Sequence, residues 1–430
     1  MKTALSTLLL VCVLISVTFA SPAPDHTTAI NRIVVFGDSL SDTGNDYQFS
    51  YLFRDIIKRV PSLGKEFPYG LIPSPYNSPY FDGRFSDGKN WFEDFANLFH
   101  IKDTERHHFG PLENFAYGGA WASPYINQGK LGITLFPLNL GEQVLQYQVE
   151  HPLPYVFNQH VLAVIFIGAN DYLDTNTVTP PAVQVTHVVN SITHAIKALH
   201  RLHRIAHFLV VGMPDLADTP YAAHLPQHEK TLLLNLSLLH NASLKKAIQK
   251  LNQSNSTSMH VDFIDWLSDH QQLNDHFKQY HFDYGQNAPC HDFYPAAAPF
   301  SIPMAPKTLF TRLMHYNTPQ LNRFQLSTIP PYPTNVPQQL IDAKHCDDNT
   351  PSSSHIYMDD VHPTRLAQCI IAVRACQKIA SRYTWMDASG QAHPLNCGIP
   401  TTGNLQNAAD ACLKALHTGA LREDTLLPFE

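Results

Sequence analysis

Four short apolar runs along the chain constrain its fold more than any other feature of the sequence. Three of them end directly before a glycine and the fourth alternates with polar residues; they cover Ile33–Phe36, Val161–Ile167, Phe208–Val211 and His260–Ile264. Continuous apolar runs of this length are typical of strands that are covered on both faces. We therefore predict four strands of one sheet with helices on both sides.

Helical patterns separate these runs and extend over Glu142–Glu150, Val183–Leu202 and Glu229–Leu251. Strands and helices in alternation predict an α/β fold, with a parallel sheet between two helix layers. Ligands of such sheets bind beyond the carboxyl ends of the strands. We therefore expect the chemistry of this protein directly after the apolar runs.

The stretch from Cys290 to Cys346 interrupts this alternation. It contains nine prolines and seven aromatic residues, and so many prolines exclude a long helix or a central strand. We predict one large domain over residues 30–383, with an inserted loop at 290–346. Its last helix should begin at His362, with Pro363 in the first turn, and run to about Tyr383. Residues 384–430 should form a small C-terminal appendage, whose role the sequence leaves open.

The first twenty residues have the pattern of a secretory signal peptide. Lys2 precedes an apolar run from Leu8 to Val17, and small side chains lead to Ser21. The run is shorter than the roughly 20 residues that a bilayer-spanning helix needs, and no later stretch is apolar for long enough. We therefore expect an exported protein, extracellular or periplasmic, without a transmembrane segment.

Charge and cysteine content narrow the class further. The formal net charge is −7 and no basic run occurs, which argues against nucleic acid as a partner. Six cysteines follow the predicted signal peptide: Cys290, Cys346, Cys369, Cys376, Cys397 and Cys412. An even number of cysteines in an exported chain favours disulfides over metal sites.

The first chemical motif follows the first apolar run. Residues Gly37–Asn45 have the sequence Gly-Asp-Ser-Leu-Ser-Asp-Thr-Gly-Asn. A serine directly after a strand and a glycine turn can present its hydroxyl to a site, which makes Ser39 a candidate nucleophile. The alternative is a polar turn that caps a helix through Ser41 or Asp42. The Gly-x-Ser-x-Gly elbow of α/β-hydrolases is absent, because Ser41 stands where its second glycine would be.

Two further motifs offer groups that bind an anionic oxygen. Residues Asn114–Ala120 contain the pair Gly118-Gly119, which lets the backbone approach a ligand closely. Asn170 follows the second apolar run, within Gly-Ala-Asn-Asp, and its amide can donate a hydrogen bond. The alternatives are a plain turn for the glycines and an Asx turn for the asparagine.

The fourth motif is Asp359-Asp360-Val361-His362-Pro363. A histidine that acts as a base needs a carboxylate to fix its tautomer and to stabilise the imidazolium. Among 25 histidines, His362 stands out by its aspartates and its place before a predicted helix. The spacing of three residues favours Asp359 over the adjacent Asp360 as its partner.

Taken together, these four motifs resemble the four sequence blocks of the GDSL, or SGNH, hydrolases, over about Ile33 to Tyr383. The resemblance implies a three-layer, flavodoxin-like α/β/α fold and esterase, lipase or acyltransferase activity. It implies Ser39 as nucleophile, His362 as base and Asp359 as its orienting acid. Backbone N–H groups of Ser39 and Gly119, with the Asn170 amide, would form the oxyanion hole. This chemistry needs no metal and no organic cofactor.

A narrower resemblance involves Phe282–Cys290 and the closing Cys346, which resemble the secreted bacterial glycerophospholipid:cholesterol acyltransferases and phospholipases A. It implies a Cys290–Cys346 disulfide around a loop that an activating protease cuts; Lys307, Arg312 and Arg323 offer cleavable bonds. The expected substrates are phospholipid and sterol at a membrane or micelle surface. The prolines and apolar residues of the loop suit an inhibitory lid.

Other assignments stay open. A carbohydrate or small-ester O-acylesterase would use the same catalytic residues on the same scaffold. A protein of another class would be a non-catalytic binding module on an inactive hydrolase scaffold, against which the complete motif set argues. Cys369 and Cys376 lie seven residues apart on one predicted helix, about 10 Å along its axis, and are too distant to pair with each other. Their partners among Cys397 and Cys412 are not assigned.

Overall fold

Eight strands are present in the computed structural model, which describes residues 27–48, 80–101, 110–124, 138–152, 160–173, 179–254, 258–291, 346, 352–397 and 403–418. They are β1 (Thr28–Ile30), β2 (Arg32–Gly37), β3 (Leu112–Asn114), β4 (Val161–Phe166), β5 (His207–Val211), β6 (His260–Ile264), β7 (Tyr383–Met386) and β8 (Ala392–Pro394). Five of them form a parallel sheet in the order β3-β2-β4-β5-β6. The four predicted strands are its four neighbouring members β2, β4, β5 and β6.

Helices cover both faces of this sheet. They are α1 (Trp91–Asn97), α2 (Leu140–Glu150), α3 (Asn170–Leu173), α4 (Pro181–His203), α5 (Pro220–Ala223), α6 (Gln227–Gln253), α7 (Trp266–Asp275), α8 (Arg365–Ile379) and α9 (Leu405–His417). We call α1, α7, α8 and α9 the front layer, and α2, α4 and α6 the back layer. The three-layer α/β/α fold confirms the predicted fold class.

Alternation along each strand divides the core between the two layers. On β2, Ile33 and Val35 pack with the front layer, whereas Val34 and Phe36 pack with the back layer. All four side chains are at most 1% exposed. Successive side chains of a strand point to opposite faces, so a strand covered on both sides is apolar at every position. This explains why the central strands appear in the sequence as uninterrupted apolar runs.

The predicted helix from His362 to Tyr383 was wrong at both ends. Helix α8 begins at Arg365, with Thr364 as N-cap, and ends at Ile379. Pro363 lies outside the helix, because the segment before it forms a turn: the Asp359 carboxylate accepts the backbone N–H groups of Val361 and His362, each at 2.8 Å. At the other end Tyr383 begins strand β7.

The C-terminal segment is built into the fold. Strand β7 pairs in parallel with β1 near the other end of the described chain, and antiparallel with β8. Helix α9 packs in the front layer, where disulfides join Cys369 to Cys412 and Cys376 to Cys397. These bonds supply the pairing that the sequence left open.

The inserted loop is described only at its two roots. Cys290 and Cys346 form the predicted disulfide, while the candidate cleavage sites and the predicted signal peptide lie outside the described residues. Within the described ranges, none of the helices combines the length with the apolar character that crossing a membrane requires.

Candidate active site

Strand order places the candidate site between β2 and β4. The chain leaves β2 toward β3 on one side and then returns to β4 on the other, which makes this gap the switch point where such sheets bind ligands. Ser39 follows β2 by two residues and Asn170 follows β4 by four. Two of the predicted site residues therefore meet here because of topology alone.

A tight turn after β2 presents Ser39. The Asp38 carbonyl accepts the N–H groups of Ser41 at 3.0 Å and Asp42 at 3.1 Å, which closes the turn. Gly37 permits it, since a Cβ at that position would lie 2.8 Å from the Phe166 carbonyl oxygen. Ser39 is 8% exposed, so its hydroxyl lies at the base of a recess.

The hydroxyl of Ser39 is hydrogen bonded to His362, 323 residues further along the chain. Oγ of Ser39 lies 2.7 Å from Nε2 of His362, and Nδ1 of His362 lies 2.7 Å from Oδ2 of Asp359. With the imidazole proton on Nδ1, that nitrogen donates to the carboxylate and Nε2 accepts from the serine. The carboxylate that accepts the imidazole N–H is that of Asp359, the aspartate that the three-residue spacing favours.

Asp359 is held as a carboxylate by its surroundings. Burial alone would raise its pKa, but the charge and hydrogen bond of His362, a hydrogen bond from Tyr80 and the Val361 N–H together lower the pKa below its usual value. A charged acceptor at this place would stabilise an imidazolium at His362.

Two aromatic residues that the sequence did not reveal support this pair. The Tyr80 hydroxyl donates to Oδ2 of Asp359 at 2.7 Å. The Phe85 ring lies 4.9 Å from the imidazole of His362 at an angle of 33°, and the Tyr80 ring meets the same imidazole edge-on. The two residues flank an Asp-Gly-Arg segment that lies outside the four motifs. A contact between an aromatic ring and a distant histidine follows no fixed spacing, so the sequence does not indicate it.

The glycine pair forms a turn beside the serine. The Ala120 N–H donates to the Tyr117 carbonyl at 3.2 Å, and Gly119 at the third position has φ 72°, a backbone conformation that favours glycine. The turn is joined to the end of β2 by a hydrogen bond from the Tyr117 N–H to the Gly37 carbonyl at 3.2 Å. The Asn170 amide donates to the Ala120 carbonyl at 3.0 Å. The structure thus brings the second and third motifs into direct contact.

An apolar pocket opens at the serine. Ser39, Asn170 and His362 line it, and most of its wall is formed by apolar side chains, among them Leu40, Leu173, Leu216, Trp266, Leu273, Ile356 and Ile371. His270 and Tyr357 are polar exceptions, and they hydrogen bond to each other at 2.7 Å. Burial lowers the pKa of His270 to about 3, so this histidine is neutral and adds no charge to the pocket.

Together, the three-layer fold and a Ser-His-Asp arrangement at its switch point define the class of serine hydrolases. A sequence model of the family described as GDSL-like Lipase/Acylhydrolase matches residues 33–374. Because this match covers most of the chain, the protein belongs to that family. The predicted family is thereby confirmed.

Two of the relatives are bacterial proteins. The chain is 30% identical over 227 residues to the secreted effector protein SseJ of Salmonella typhimurium, a match that covers 52% of this chain and 44% of that protein. It is 29% identical over 245 residues to the phosphatidylcholine-sterol acyltransferase of Aeromonas hydrophila, covering 53% and 60%. The chain therefore spans about half the length of the curated relatives that it matches.

Solved structures with similarity include an extracellular lipase from Streptomyces rimosus and phospholipase A1 from Streptomyces albidoflavus. The lipase is 14% identical with a TM-score of 0.32, and the match covers 63% of this chain and 89% of that one. The phospholipase is 13% identical with a TM-score of 0.30, covering 58% and 83%.

Proposed function

We propose that Ser39 is the nucleophile of an acyl-transfer reaction, with His362 as its base and Asp359 as the residue that orients the base. His362 takes the proton of Ser39 as Oγ attacks an ester carbonyl, and then gives it to the departing alcohol. An acyl-serine remains, and water or another alcohol releases it. The continuous hydrogen-bonded line from Asp359 through His362 to Ser39 supports these roles.

The oxyanion would be bound by the backbone N–H groups of Ser39 and Gly119 and by the amide of Asn170. In support, one N–H of the Asn170 amide is fixed on the Ala120 carbonyl, which orients the group and leaves its second N–H for a ligand. Such donors are worth about 3 kcal/mol each in the transition state.

The proposed substrates are glycerophospholipids, from which the enzyme releases a fatty acyl chain as a phospholipase A or lysophospholipase. The observation that carries this assignment is the apolar pocket that begins at Ser39. Burying a hydrocarbon chain in it is favourable by about 0.8 kcal/mol for each methylene group. A carbohydrate O-acylesterase would need polar groups to bind sugar hydroxyls, so the pocket favours lipid.

Transfer of the acyl group to a sterol such as cholesterol is the finer part of the proposal. It is supported by the resemblance to the Aeromonas hydrophila enzyme, whose name states sterol acyl transfer. In this reaction the sterol hydroxyl replaces water as the group that attacks the acyl-serine. Since His362 would activate either hydroxyl in the same way, transfer needs no additional catalytic group.

Cleavage of the loop between Cys290 and Cys346 is proposed to activate the enzyme. The Cys290 N–H donates to the Tyr357 carbonyl at 2.9 Å, and the His291 N–H donates to the Met358 carbonyl at 2.8 Å. The root of the loop is therefore hydrogen bonded to the two residues that precede Asp359. Cleavage of the loop could therefore alter the position of Asp359 through these backbone hydrogen bonds.

Export to an oxidising compartment is supported by three disulfides, because such bonds persist mainly outside the cytosol. We therefore propose that the protein is secreted, extracellular or periplasmic, and that it acts on lipid surfaces there.

The test is a product assay on defined phosphatidylcholine vesicles, with and without cholesterol, before and after limited proteolysis. We expect free fatty acid with and without cholesterol, and cholesteryl ester only when cholesterol is present. The rate of product release should rise after limited proteolysis. Fatty acid as the sole product would overturn sterol transfer, and no rise after cleavage would overturn activation. A phosphonate probe that fails to label Ser39 in the cleaved protein would favour the non-catalytic alternative.

A further inference from the structure

Two buried carboxylates that the proposed mechanism does not use lie at the two ends of the glycine turn. At the start of the turn, Oδ2 of Asp42 accepts the N–H of its second residue, Gly118, at 3.2 Å. After it, the Asp171 carboxylate accepts the Ala122 N–H at 2.8 Å and the Ser123 N–H at 2.9 Å. The two aspartates are 0% and 6% exposed.

The turn is tightly packed at Gly118. A Cβ at this position would lie 2.3 Å from the Phe85 ring and 2.4 Å from Oδ2 of Asp46. Asp42 also accepts the N–H groups of Gly44 and Asn45, both at 2.7 Å. The same carboxylate therefore ties the loop that follows Ser39 to the glycine turn.

We propose that Asp42 and Asp171 are positioning residues that hold the Gly118–Gly119 turn at its two ends and so place the Gly119 N–H for the oxyanion. The inference rests on the proposed role of Gly119. Its physical reason is that catalytic donors act through geometry, and an error of about 1 Å in placement can reduce a rate about 10²-fold. Neither aspartate touches the substrate.

The protonation of the acids around the turn agrees with this role. Burial, together with the charge of Asp42, raises the pKa of Asp46 well above its usual value. Burial raises the pKa of Asp42 as well, but the N–H groups of Gly44 and Asn45 lower it, so a proton shared by the two acids lies on Asp46 and Asp42 is the acceptor. Burial also raises the pKa of Asp171 to about 6, and that of the neighbouring Asp38 to about 7.

The first test replaces Asp171 with Asn, which has the same shape but one acceptor oxygen in place of two. We expect kcat on a short chromogenic ester to fall about 10- to 100-fold while KM changes less than threefold, because the loss occurs in the transition state. The matched control is Asp262→Asn, which removes a carboxylate that accepts the Tyr383 hydroxyl at 2.8 Å far from the site. It should lower stability and leave kcat unchanged.

The second test compares neighbours in the acid pair. Asp42→Asn removes the acceptor carboxylate and should lower kcat about tenfold or more at constant KM. Asp46→Asn replaces a protonated acid by a neutral amide that can donate to Asp42 in the same way, so kcat should stay within threefold. Equal effects of the two substitutions on kcat would overturn the role of Asp42.

A double-mutant cycle identifies the route of the effect. If Asp171 acts through the turn, then Asp171→Asn should cost much less in a Gly119→Ala background, where φ 72° is strained and the donor is already displaced. Additive losses in kcat would overturn the proposal. So would an Asp171→Asn enzyme with lower stability and unchanged kcat, even if Ser39→Ala is inactive. Turnover by Ser39→Ala would instead overturn the proposed function itself.

Discussion

The front and back helical layers cover the same sheet, but different interactions hold them. In the front layer, the Arg365 guanidinium forms a buried bidentate ion pair with the Asp94 carboxylate. Arg374 forms a second bidentate pair with Asp269, at 2.9 and 3.0 Å. Both arginines lie on α8, the helix that begins three residues after His362. Two disulfides join α8 to the C-terminal segment.

The back layer combines apolar packing with side-chain hydrogen bonds to the backbone, such as those of Gln143 with Gly37 and of Asn241 with Met213. Val188, Ile192, Leu199, Leu236 and Leu244 are among its side chains that are at most 1% exposed and that pack on the sheet. Among the described residues, the disulfides between helices and the bidentate arginine–aspartate pairs therefore lie in the front layer, whose helix α8 follows His362. The back layer is held by apolar packing together with side-chain hydrogen bonds to the backbone.

The largest expected effect on kcat comes from replacing the proposed nucleophile or the proposed base. Ser39→Ala should lower kcat on a chromogenic ester by about 10⁵-fold or more, while the midpoint of thermal unfolding stays unchanged, since no core contact is lost. His362→Ala should do nearly the same, and the double variant should be no worse than either. Turnover by Ser39→Ala at the wild-type rate would contradict the assignment.

The contrast between the layers can be broken by two substitutions of similar cost. Asp94→Asn leaves Arg365 without its charged partner and should lower the free energy of unfolding by about 3–5 kcal/mol. Leu236→Ala opens a cavity in the back layer and should cost about 2–5 kcal/mol. In the folded enzyme at low temperature, Asp94→Asn should also lower kcat and Leu236→Ala should not. Equal kcat values would show that the two layers matter alike.

Removal of the front-layer disulfides should sharpen the same contrast. On the chain-entropy relation, the Cys369–Cys412 bond, with a separation of 43 residues, stabilises by about 4 kcal/mol, and Cys376–Cys397, with 21, by about 3 kcal/mol. Paired Cys→Ala variants in denaturant titrations should show this order. A reversed order would indicate that contacts in the native state, and not restriction of the unfolded chain, decide their worth.

Asn170→Ala tests a side chain that follows the carboxyl end of the central strand β4 and belongs to neither helical layer. Loss of an oxyanion donor should lower kcat about 10²- to 10³-fold, with little change in KM and in the unfolding midpoint. Steady-state kinetics on the same ester measure both constants. A decrease in kcat below threefold would remove Asn170 from the proposed oxyanion hole.

The smallest effect is expected at Tyr80. Tyr80→Phe removes a hydrogen bond that lowers the pKa of Asp359, so the carboxylate becomes a stronger acceptor and holds the imidazolium more tightly. The acid side of the kcat/KM profile should move to higher pH by a few tenths of a unit, and kcat should fall about fivefold, equivalent to about 1 kcal/mol. Tyr383→Phe, which removes a comparable hydroxyl from Asp262, should leave the profile unchanged.

The sequence predicted the strands that have a clear apolar pattern. Strands β2, β4 and β5 were predicted within one residue of their bounds because they are buried on both faces, and the half-buried edge strand β6 was predicted because apolar and polar residues alternate along it. Strands β1, β3 and β8 have three residues each, too few for a pattern to appear. The first residue of β7, Tyr383, was predicted as the end of a helix and the rest of the strand as part of the C-terminal appendage, since β7 is defined by its pairing with β1 and β8.

The candidate site divides in the same way. Ser39 and Asn170 were predicted because they closely follow apolar runs, Gly119 from a glycine pair, and His362 from the aspartates before it and the predicted helix after it. The structure brings the serine, the histidine and Asp359 into hydrogen-bonding distance. The residues that hold them were not predicted. Support by an aromatic ring such as Phe85 depends on contacts between distant segments, which no local spacing encodes.

The pairing of β1 with β7 has a consequence for the order in which the molecule is made. Thr28 is aligned with Tyr383 and Ile30 with Trp385. Strand β1, which directly precedes β2 in the sequence, therefore lacks its partner strand until the ribosome has added about 350 further residues. The proposed base, His362, is added almost as late, and the disulfide that holds its helix needs Cys412. A nascent chain therefore carries the proposed nucleophile, Ser39, long before the residues with which it is hydrogen bonded, and contacts of such long range close slowly.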